Sequence, residues 1–307
     1  MPMGRGNFSA LLTPELRRIY EETGKERPLE YPMLFNVEDM DWNPQTDRQI
    51  TGLGNMPAKN EGEQFALDER TLGGTKSYEA TPFGLAVEIT WEMWRDDLYG
   101  PMREFAAGLS RAARNRQEVT AWSVLNNAFN NAFAGFTAGE SLCSTAHTGI
   151  DGVVRANRPA VDVDLSVTGI QAALTRFENL TDERGLPMLL QPSMVVCGPA
   201  SKYVARNILG AYGGVAVGNN AGNDLNTLIE DDLSFMVSHY FTDTDQWFLC
   251  ANKQGHDLNF LWRDRPVFDS FDDPWTKNAI FTSYQRHTSG FGSWRGVDGS
   301  SGAAGGI

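Results

Sequence analysis

The sequence predicts an α+β protein, because one long helical stretch is flanked by segments with the pattern of strands. Residues 101–133 follow a glycine, open on a proline and repeat apolar side chains at helical spacing without a further proline. Residues 85–93 alternate apolar and polar side chains, which is the period of a half-buried strand. Further strands are predicted late in the chain, at residues 233–240, 246–252, 259–263 and 279–287.

The N-terminal region predicts one short helix followed by an extended arm. Thr13 can cap a helix over residues 13–23, and Pro14 suits the first helical turn. After Gly24, several prolines and isolated apolar residues interrupt every regular pattern. We therefore expect an arm that lies on something other than a core of its own.

Residues 49–81 are rich in glycine, asparagine and charged side chains and contain few large apolar ones. This composition predicts a long, poorly buried β-hairpin or loop, with strand-like pieces near residues 64–68 and 76–81. We expect this segment to contact a neighbouring subunit.

The middle of the chain predicts a helix, then a strand, a turn and a second helix. Residues 165–180 are amphipathic, and Ser166 is a suitable cap. A short apolar strand at residues 194–197 is closed by Gly198-Pro199, and a helix is predicted over residues 200–209. A glycine- and asparagine-rich loop is expected at residues 210–226, and a glycine-rich tail that is mobile or laid along a neighbour is expected at residues 296–307.

Length, composition and charge exclude several classes of protein. The chain has 307 residues, of which 41% are hydrophobic and 21% charged, so one large or two modest folded domains are expected. A net charge of −13 argues against a general nucleic-acid binder. The sequence has no apolar run near the roughly 18 residues of a membrane helix, so neither a membrane protein nor an exported one is expected. Three scattered cysteines predict free thiols and a reducing cytosol.

The sequence offers one candidate for catalysis, in which Cys143 is a nucleophile, His147 a base and Asp151 an orienting group. Such groups are normally gathered from separate elements, so the favoured interpretation is a packed thiol beside a hydrogen-bonded histidine. The four histidines are too dispersed for a metal site, and no phosphate-binding loop is present. No catalytic, metal or cofactor-binding residue is therefore predicted. Neighbouring acidic pairs are interpreted as solvated turns or caps, namely residues 96–97, 231–232 and 272–273.

Three stretches, taken in order, resemble the major capsid proteins of tailed bacteriophages with the Hong Kong 97-type fold. They are Phe83-Gly84-Leu85-Ala86-Val87-Glu88-Ile89-Thr90 before the long helix, Leu142-Cys143-Ser144-Thr145-Ala146-His147 after it, and Met194-Val195-Val196-Cys197-Gly198-Pro199 before the next helix. The resemblance covers nearly the whole chain. It implies an N-terminal arm (residues 1–48), an extended loop (49–82), a peripheral domain with a spine helix (83–140), an axial domain (141–250) and a return to the peripheral domain with a tail (251–307).

The same resemblance implies a structural function and no enzymatic activity. The subunit would form hexamers and pentamers of an icosahedral shell around a packaged phage genome, after assembly in the bacterial host cytoplasm. Implied partners are other copies of the chain, possible scaffolding, portal and decoration proteins, and double-stranded DNA bound only non-specifically. Some relatives join a loop lysine to a neighbour, and Lys59 and Lys76 lie in the corresponding region. The alternatives are an encapsulin-like nanocompartment shell protein and the cysteine-dependent enzyme.

Overall fold

The computed structural model describes residues 8–90, 92–93, 100–209, 233–273, 275–276 and 278–303. The chain forms two compact units. The first unit comprises Met1–Gln45, Tyr78–Ala121 and Phe260–Ser289, and the second comprises Thr46–Ser77, Trp122–Asn259 and Gly290–Ile307.

The α+β class is confirmed. The helices are α1 (Phe8–Lys25), α2 (Tyr31–Leu34), α3 (Gly100–Asn126), α4 (Val167–Glu178) and α5 (Lys202–Leu209). The first strands are β1 (Asn36–Asp39), β2 (Gln45–Ile50), β3 (Leu72–Tyr78), β4 (Thr81–Ile89), β5 (His147–Thr148) and β6 (Val154–Arg155). The remaining strands are β7 (Pro192–Cys197), β8 (Ser234–Val237), β9 (Trp247–Ala251), β10 (Leu258–Asp272), β11 (Ala279–Phe291) and β12 (Val297–Ser300).

The first unit contains a four-stranded sheet in the order β1-β10-β11-β4. Strands β11 and β4 are antiparallel and pair from Ala279 with Ile89 to His287 with Thr81. Helix α1 packs on this unit, because the Tyr20 hydroxyl lies 2.8 Å from Ser283 Oγ and the Ser110 hydroxyl donates to the Tyr20 carbonyl. The buried apolar core includes Leu16, Tyr20, Ile89, Leu109, Phe268 and Phe281.

Two expectations for the N-terminal region are corrected. Helix α1 begins at Phe8 and contains Pro14 in its interior, because Ala10, Leu11 and Leu12 before Thr13 are strong helix formers. Residues 31–40 belong to the core of the first unit instead of forming a separate arm, since Leu34 and Phe35 are buried there. The carboxylate of Glu118 accepts the backbone N–H of Tyr31. This side chain therefore satisfies a donor at the start of α2 that the sequence left without a partner.

Helix α3 ends at Asn126 rather than near residue 133, which gives a length of about 40 Å at 1.5 Å per residue. Two asparagines explain the earlier end. Asn127 donates from its side chain to the Ser123 carbonyl at 2.8 Å, in competition with the helical pattern. Asn126 donates to the Tyr240 carbonyl and accepts from Gln246, so its side chain is fixed by a loop of the second unit.

The second unit is built on the sheet β12-β9-β7-β8. Strand β9 is buried at every residue and pairs antiparallel with β7 and β12, whereas β7 and β8 are parallel. Helix α4 is capped as predicted, because Ser166 Oγ accepts the N–H of Gly169. Helices α4 and α5 bury their apolar faces in a core that includes Ile170, Phe177, Ala205, Ile208 and Trp247.

Three further segments differ from the sequence predictions. The glycine-rich tail is corrected, because Val297–Ser300 form a buried strand paired with Trp247–Cys250. Residues 64–68 are not a strand, and the second strand of the predicted hairpin is β3, which pairs with β2. The strand predicted at residues 85–93 ends at Ile89, and Leu85 is half exposed. The predicted loop at residues 210–226 lies outside the described residues.

Candidate functional site

His147 is the centre of a buried polar cluster in the second unit. Its Nε2 atom lies 2.9 Å from Asn157 Oδ1, and its Nδ1 atom lies 3.2 Å from Glu140 Oε2. The imidazole also stacks on the Trp294 ring, with 4.1 Å between centroids. Burial lowers the pKa of His147, although the hydrogen bonds to Glu140 and Asn157 oppose this effect. Two hydrogen bonds and one ring contact therefore fix the orientation of the His147 imidazole.

The predicted catalytic arrangement is not assembled. Asp151 pairs with Arg155, with 2.7 Å between Oδ2 and Nη2, and the carboxylate beside His147 belongs to Glu140 instead. Cys143 is fully buried, and burial raises the pKa of its thiol well above the usual range. A nucleophilic cysteine needs an accessible thiolate. The geometry fits the favoured interpretation, a packed thiol beside a hydrogen-bonded histidine.

The other chemical candidates take ordinary structural positions where the structure describes them. Cys143, Cys197 and Cys250 are free and buried. Asp273 accepts hydrogen bonds from the backbone N–H of Trp275 and the hydroxyl of Thr276, an arrangement typical of a turn. The acidic pairs at 96–97 and 231–232 lie outside the described residues. Within the described ranges, no three acidic, histidine or cysteine side chains are grouped so that they could hold a metal ion.

The most distinctive surface of the second unit is the segment of residues 51–71, which we call the extended loop. It forms neither helix nor strand, and it connects β2 to β3. Its base is closed by a hydrogen bond from Thr51 N–H to the Thr71 carbonyl at 3.0 Å. Its large apolar side chains are exposed, with relative accessibilities of 51% to 97% for Leu53, Met56, Phe65 and Leu67.

Strand β3 fixes the base of the extended loop to the rest of the second unit. Gly74 approaches the backbone of Phe136 so closely that a Cβ atom at this position would lie 1.9 Å from the Phe136 carbonyl oxygen. Lys76 Nζ donates to the Ala134 carbonyl at 2.6 Å, and burial lowers the pKa of this amine. Lys59, the other lysine singled out in the sequence, lies in the loop with its Nζ 5.0 Å from the centre of the Phe65 ring.

In the described part of the first unit, the sequence did not reveal two of the apolar surfaces. One is a cavity of about 340 Å³ between β4, β11 and α3, which we call the apolar groove. Its lining includes Phe83, Leu85, Leu109 and Arg116. The other surface lies where β10 and β11 connect, with Val267, Phe271 and Trp275 exposed. The alternating sequence of β4 predicted that Leu85 is buried. The structure shows that Leu85 is exposed, so the groove could not be inferred from the sequence.

Large exposed apolar side chains on a loop and beside a groove indicate a subunit that associates with other chains. The sequence profile of the phage capsid protein family matches residues 73–297, which is most of the chain. The chain belongs to the phage capsid protein family, and its function is that of a major capsid protein, which builds an icosahedral shell. No curated protein matches the chain by sequence.

Solved capsid structures share the fold at low sequence identity. The capsid protein of cyanophage P-SCSP1u aligns with a TM-score of 0.58 and 9% identity over 89% of this chain and 88% of that chain. The procapsid protein of bacteriophage JBD30 aligns with a TM-score of 0.51 and 14% identity over 96% and 75%. The virus-like particle protein from Pyrococcus furiosus aligns with a TM-score of 0.51 and 10% identity over 94% and 98%. These likenesses confirm the Hong Kong 97-like fold predicted from the sequence.

The helices of the described residues include none that is both long and apolar enough to span a membrane.

Proposed function

We propose that the extended loop joins each subunit to its neighbours, so that copies of this chain form the hexamers and pentamers of a phage head. The observation that carries the proposal is the exposure of Leu53, Met56, Phe65 and Leu67 on one loop. Burying such side chains against another chain is favourable by about 25 cal/mol for each Å² removed from water. A closed shell supplies the neighbours that bury them.

We propose the apolar groove of a second copy as the surface that receives this loop. The groove offers apolar contacts from Phe83 and Leu85, and Arg116 adds positive charge at its wall. The extended loop carries four acidic and two basic side chains. Opposite charge favours this pairing and sets its orientation more than its strength.

What the shell encloses is inferred from the phage family and not from a binding site for DNA. We propose that the shell encloses double-stranded DNA without reading its sequence, which agrees with a net charge of −13. Assembly would take place in the bacterial host cytoplasm, with scaffolding, portal and decoration proteins as partners. An encapsulin-like nanocompartment shell around protein cargo is the second candidate, because the same fold also occurs in a virus-like particle from Pyrococcus furiosus, which aligns over 94% of this chain and 98% of that chain. The nucleic-acid content of purified particles distinguishes the two.

A variant with a shortened loop tests the role of the extended loop. Residues 54–69 are replaced by a short turn, which keeps β2, β3 and the contact between Gly74 and Phe136. Because loop length changes closure entropy only slowly, we expect a folded subunit with native-like circular dichroism. The same subunit should fail to form closed shells in sedimentation velocity.

A second variant separates the effect of losing the apolar side chains of the loop from the effect of shortening it. Phe65→Ser with Leu67→Ser keeps the loop at its full length, and we expect it to weaken assembly as well. Normal shells from the shortened variant would contradict the proposal. Unfolding of the shortened variant, combined with normal assembly of the serine variant, would place the loop in the fold of its own subunit and would also contradict it.

A further inference from the structure

We propose that Glu183 and Arg184 are positioning residues, which hold both ends of the extended loop and thereby set the direction in which it leaves the subunit. The inference builds on the proposed function, because a direction matters only if the loop reaches a neighbour. Both residues lie on the turn Thr181–Pro187, which precedes β7 in the second unit. The sequence alone gave no sign that this turn contacts the loop.

Arg184 holds the returning end of the loop. Its Nη2 atom donates to Asp68 Oδ1 at 3.1 Å and to the Glu69 carbonyl at 2.5 Å. Asp68 in turn accepts the backbone N–H of Gly54 at 2.7 Å, which joins the outgoing end to the returning end. The arginine and the carboxylate therefore connect two loop segments that are 14 residues apart in sequence.

Glu183 holds the outgoing end. Its Oε1 atom accepts from Gln49 Nε2 at 2.8 Å, and Gln49 is on β2 immediately before the loop. The same oxygen accepts from Arg295 Nη1 at 2.6 Å. Arg295 is almost fully buried, so it anchors Glu183 from the interior side. The two neighbouring residues of the turn thus act on opposite ends of the same loop.

The turn itself is rigid enough to serve as a fixed support. Asp182 Oδ1 accepts the N–H groups of Arg184 and Leu186, each at 2.8 Å. Gly185 has a φ of +78°, a backbone conformation that glycine adopts without the strain that a residue with a Cβ atom would have. Arg155 reinforces the turn from β6, since it donates to Thr181 Oγ1 and to the Asp182 carbonyl, each at 2.8 Å.

A fixed support lowers the number of directions available to a loop that has no regular structure of its own. Fewer directions reduce the entropy lost when the loop docks, which is the general benefit of preorganisation. A loop released from the turn would still carry its apolar side chains, but it would dock at varied angles. Shell curvature depends on reproducible angles between subunits, so the expected defect is in particle geometry.

The first test measures amide hydrogen exchange of Gly54 and Thr71 in the unassembled full-length chain. Because exposed ion pairs are weak, we expect Arg184→Ala to speed the exchange at these amides by about twofold to fivefold. Gln49→Ala combined with Arg184→Ala should exceed either single variant, and Arg184→Lys should recover part of the protection. Arg265→Ala is the matched control, because Arg265 forms an exposed pair with Asp39 in the first unit.

The second test measures particle diameters by electron microscopy after assembly. We expect the double variant to assemble into particles of broader size distribution, while Arg265→Ala gives the distribution of the unaltered protein. Unchanged amide exchange would overturn the proposal, and so would faster exchange with a uniform particle size. Failure of the proposed function is recognised separately. It would appear as normal shells from the variant with the shortened loop, or as unfolding of that variant together with normal assembly of the serine variant.

Discussion

Arg176 and Asp298 form a two-point ion pair across 122 residues of sequence, with Nε–Oδ2 and Nη2–Oδ1 distances of 2.8 and 2.7 Å. Arg176 is on α4 and Asp298 is on β12, so the pair ties the last described strand to a helix of the second unit. Asp298 is almost completely buried. The pair explains how a glycine-rich segment is kept in a sheet.

Removal of the arginine should be costly, because it leaves a buried carboxylate without a cation. We predict that Arg176→Ala lowers the free energy of unfolding by about 3 kcal/mol, as is typical when one partner of a buried pair is removed. Arg265→Ala, which breaks an exposed pair, should change it by less than about 1 kcal/mol. Denaturant titration measures both values. Equal effects of the two variants would show that the pair does not hold β12 in place.

The ion pair also predicts a pH dependence of stability. Burial outweighs the effect of Arg176 and raises the pKa of Asp298 to about 6. An unfolded chain releases this proton near pH 3.9. Between about pH 4 and pH 6 the folded protein therefore holds a proton that the unfolded chain has lost, and stability falls as pH rises through this window.

The variant Asp298→Asn removes the titrating group and isolates this contribution. We predict that the stability of the unaltered protein relative to the variant declines by about 2 to 3 kcal/mol between pH 4 and pH 7. Thermal unfolding across this range measures the difference. Parallel pH profiles for the two proteins would contradict the raised pKa of Asp298.

A substitution at Gly74 tests whether β3 packs closely against the backbone of Phe136. A Cβ atom at this position would overlap the Phe136 carbonyl oxygen, so we predict that Gly74→Ala lowers the free energy of unfolding by about 1 to 3 kcal/mol. Gly108 is the matched control, because it is exposed on α3 with no neighbouring atom in the way. Gly108→Ala should raise stability by about 0.5 to 1 kcal/mol. A neutral Gly74→Ala would mean that β3 and residue 136 are not in contact.

The three thiols should not react with thiol reagents in the native protein. Burial raises the pKa of Cys197 to about 11 and that of Cys250 to about 12, and it raises the pKa of Cys143 well above its usual range. We predict that a thiol reagent at pH 8 labels none of them until the chain is unfolded. Denatured protein should then show three reactive thiols. Rapid labelling of the native chain, or a stoichiometric disulfide, would contradict the buried positions.

Local patterns in the sequence predicted most elements of the described chain. The helices near residues 165–180 and 200–209 and the strands near 194–197 and 246–252 are found with small changes of boundary. Their apolar spacing and caps are local signals, which is why they could be read without a structure. The cap at Ser166 is an example in which one side chain fixes the start of a helix.

The remaining features depend on partners far away in sequence. Nothing in residues 296–307 predicts a buried strand, because its stability comes from Arg176 and from pairing with β9. The sequence offered Asp151 as the partner of His147, whereas the fold supplies Glu140 and Trp294. The turn at Glu183 and Arg184 escaped notice because its contacts with β2 and with the extended loop span more than 100 residues.

Electron microscopy of the purified protein tests the central claim most directly. If the chain is a self-assembling major capsid protein, images should show closed shells with fivefold vertices and with hexamers between them. The shells should disappear in the variant whose extended loop is shortened. Monomers or small oligomers of the unaltered protein, under conditions in which it is folded, would contradict the account.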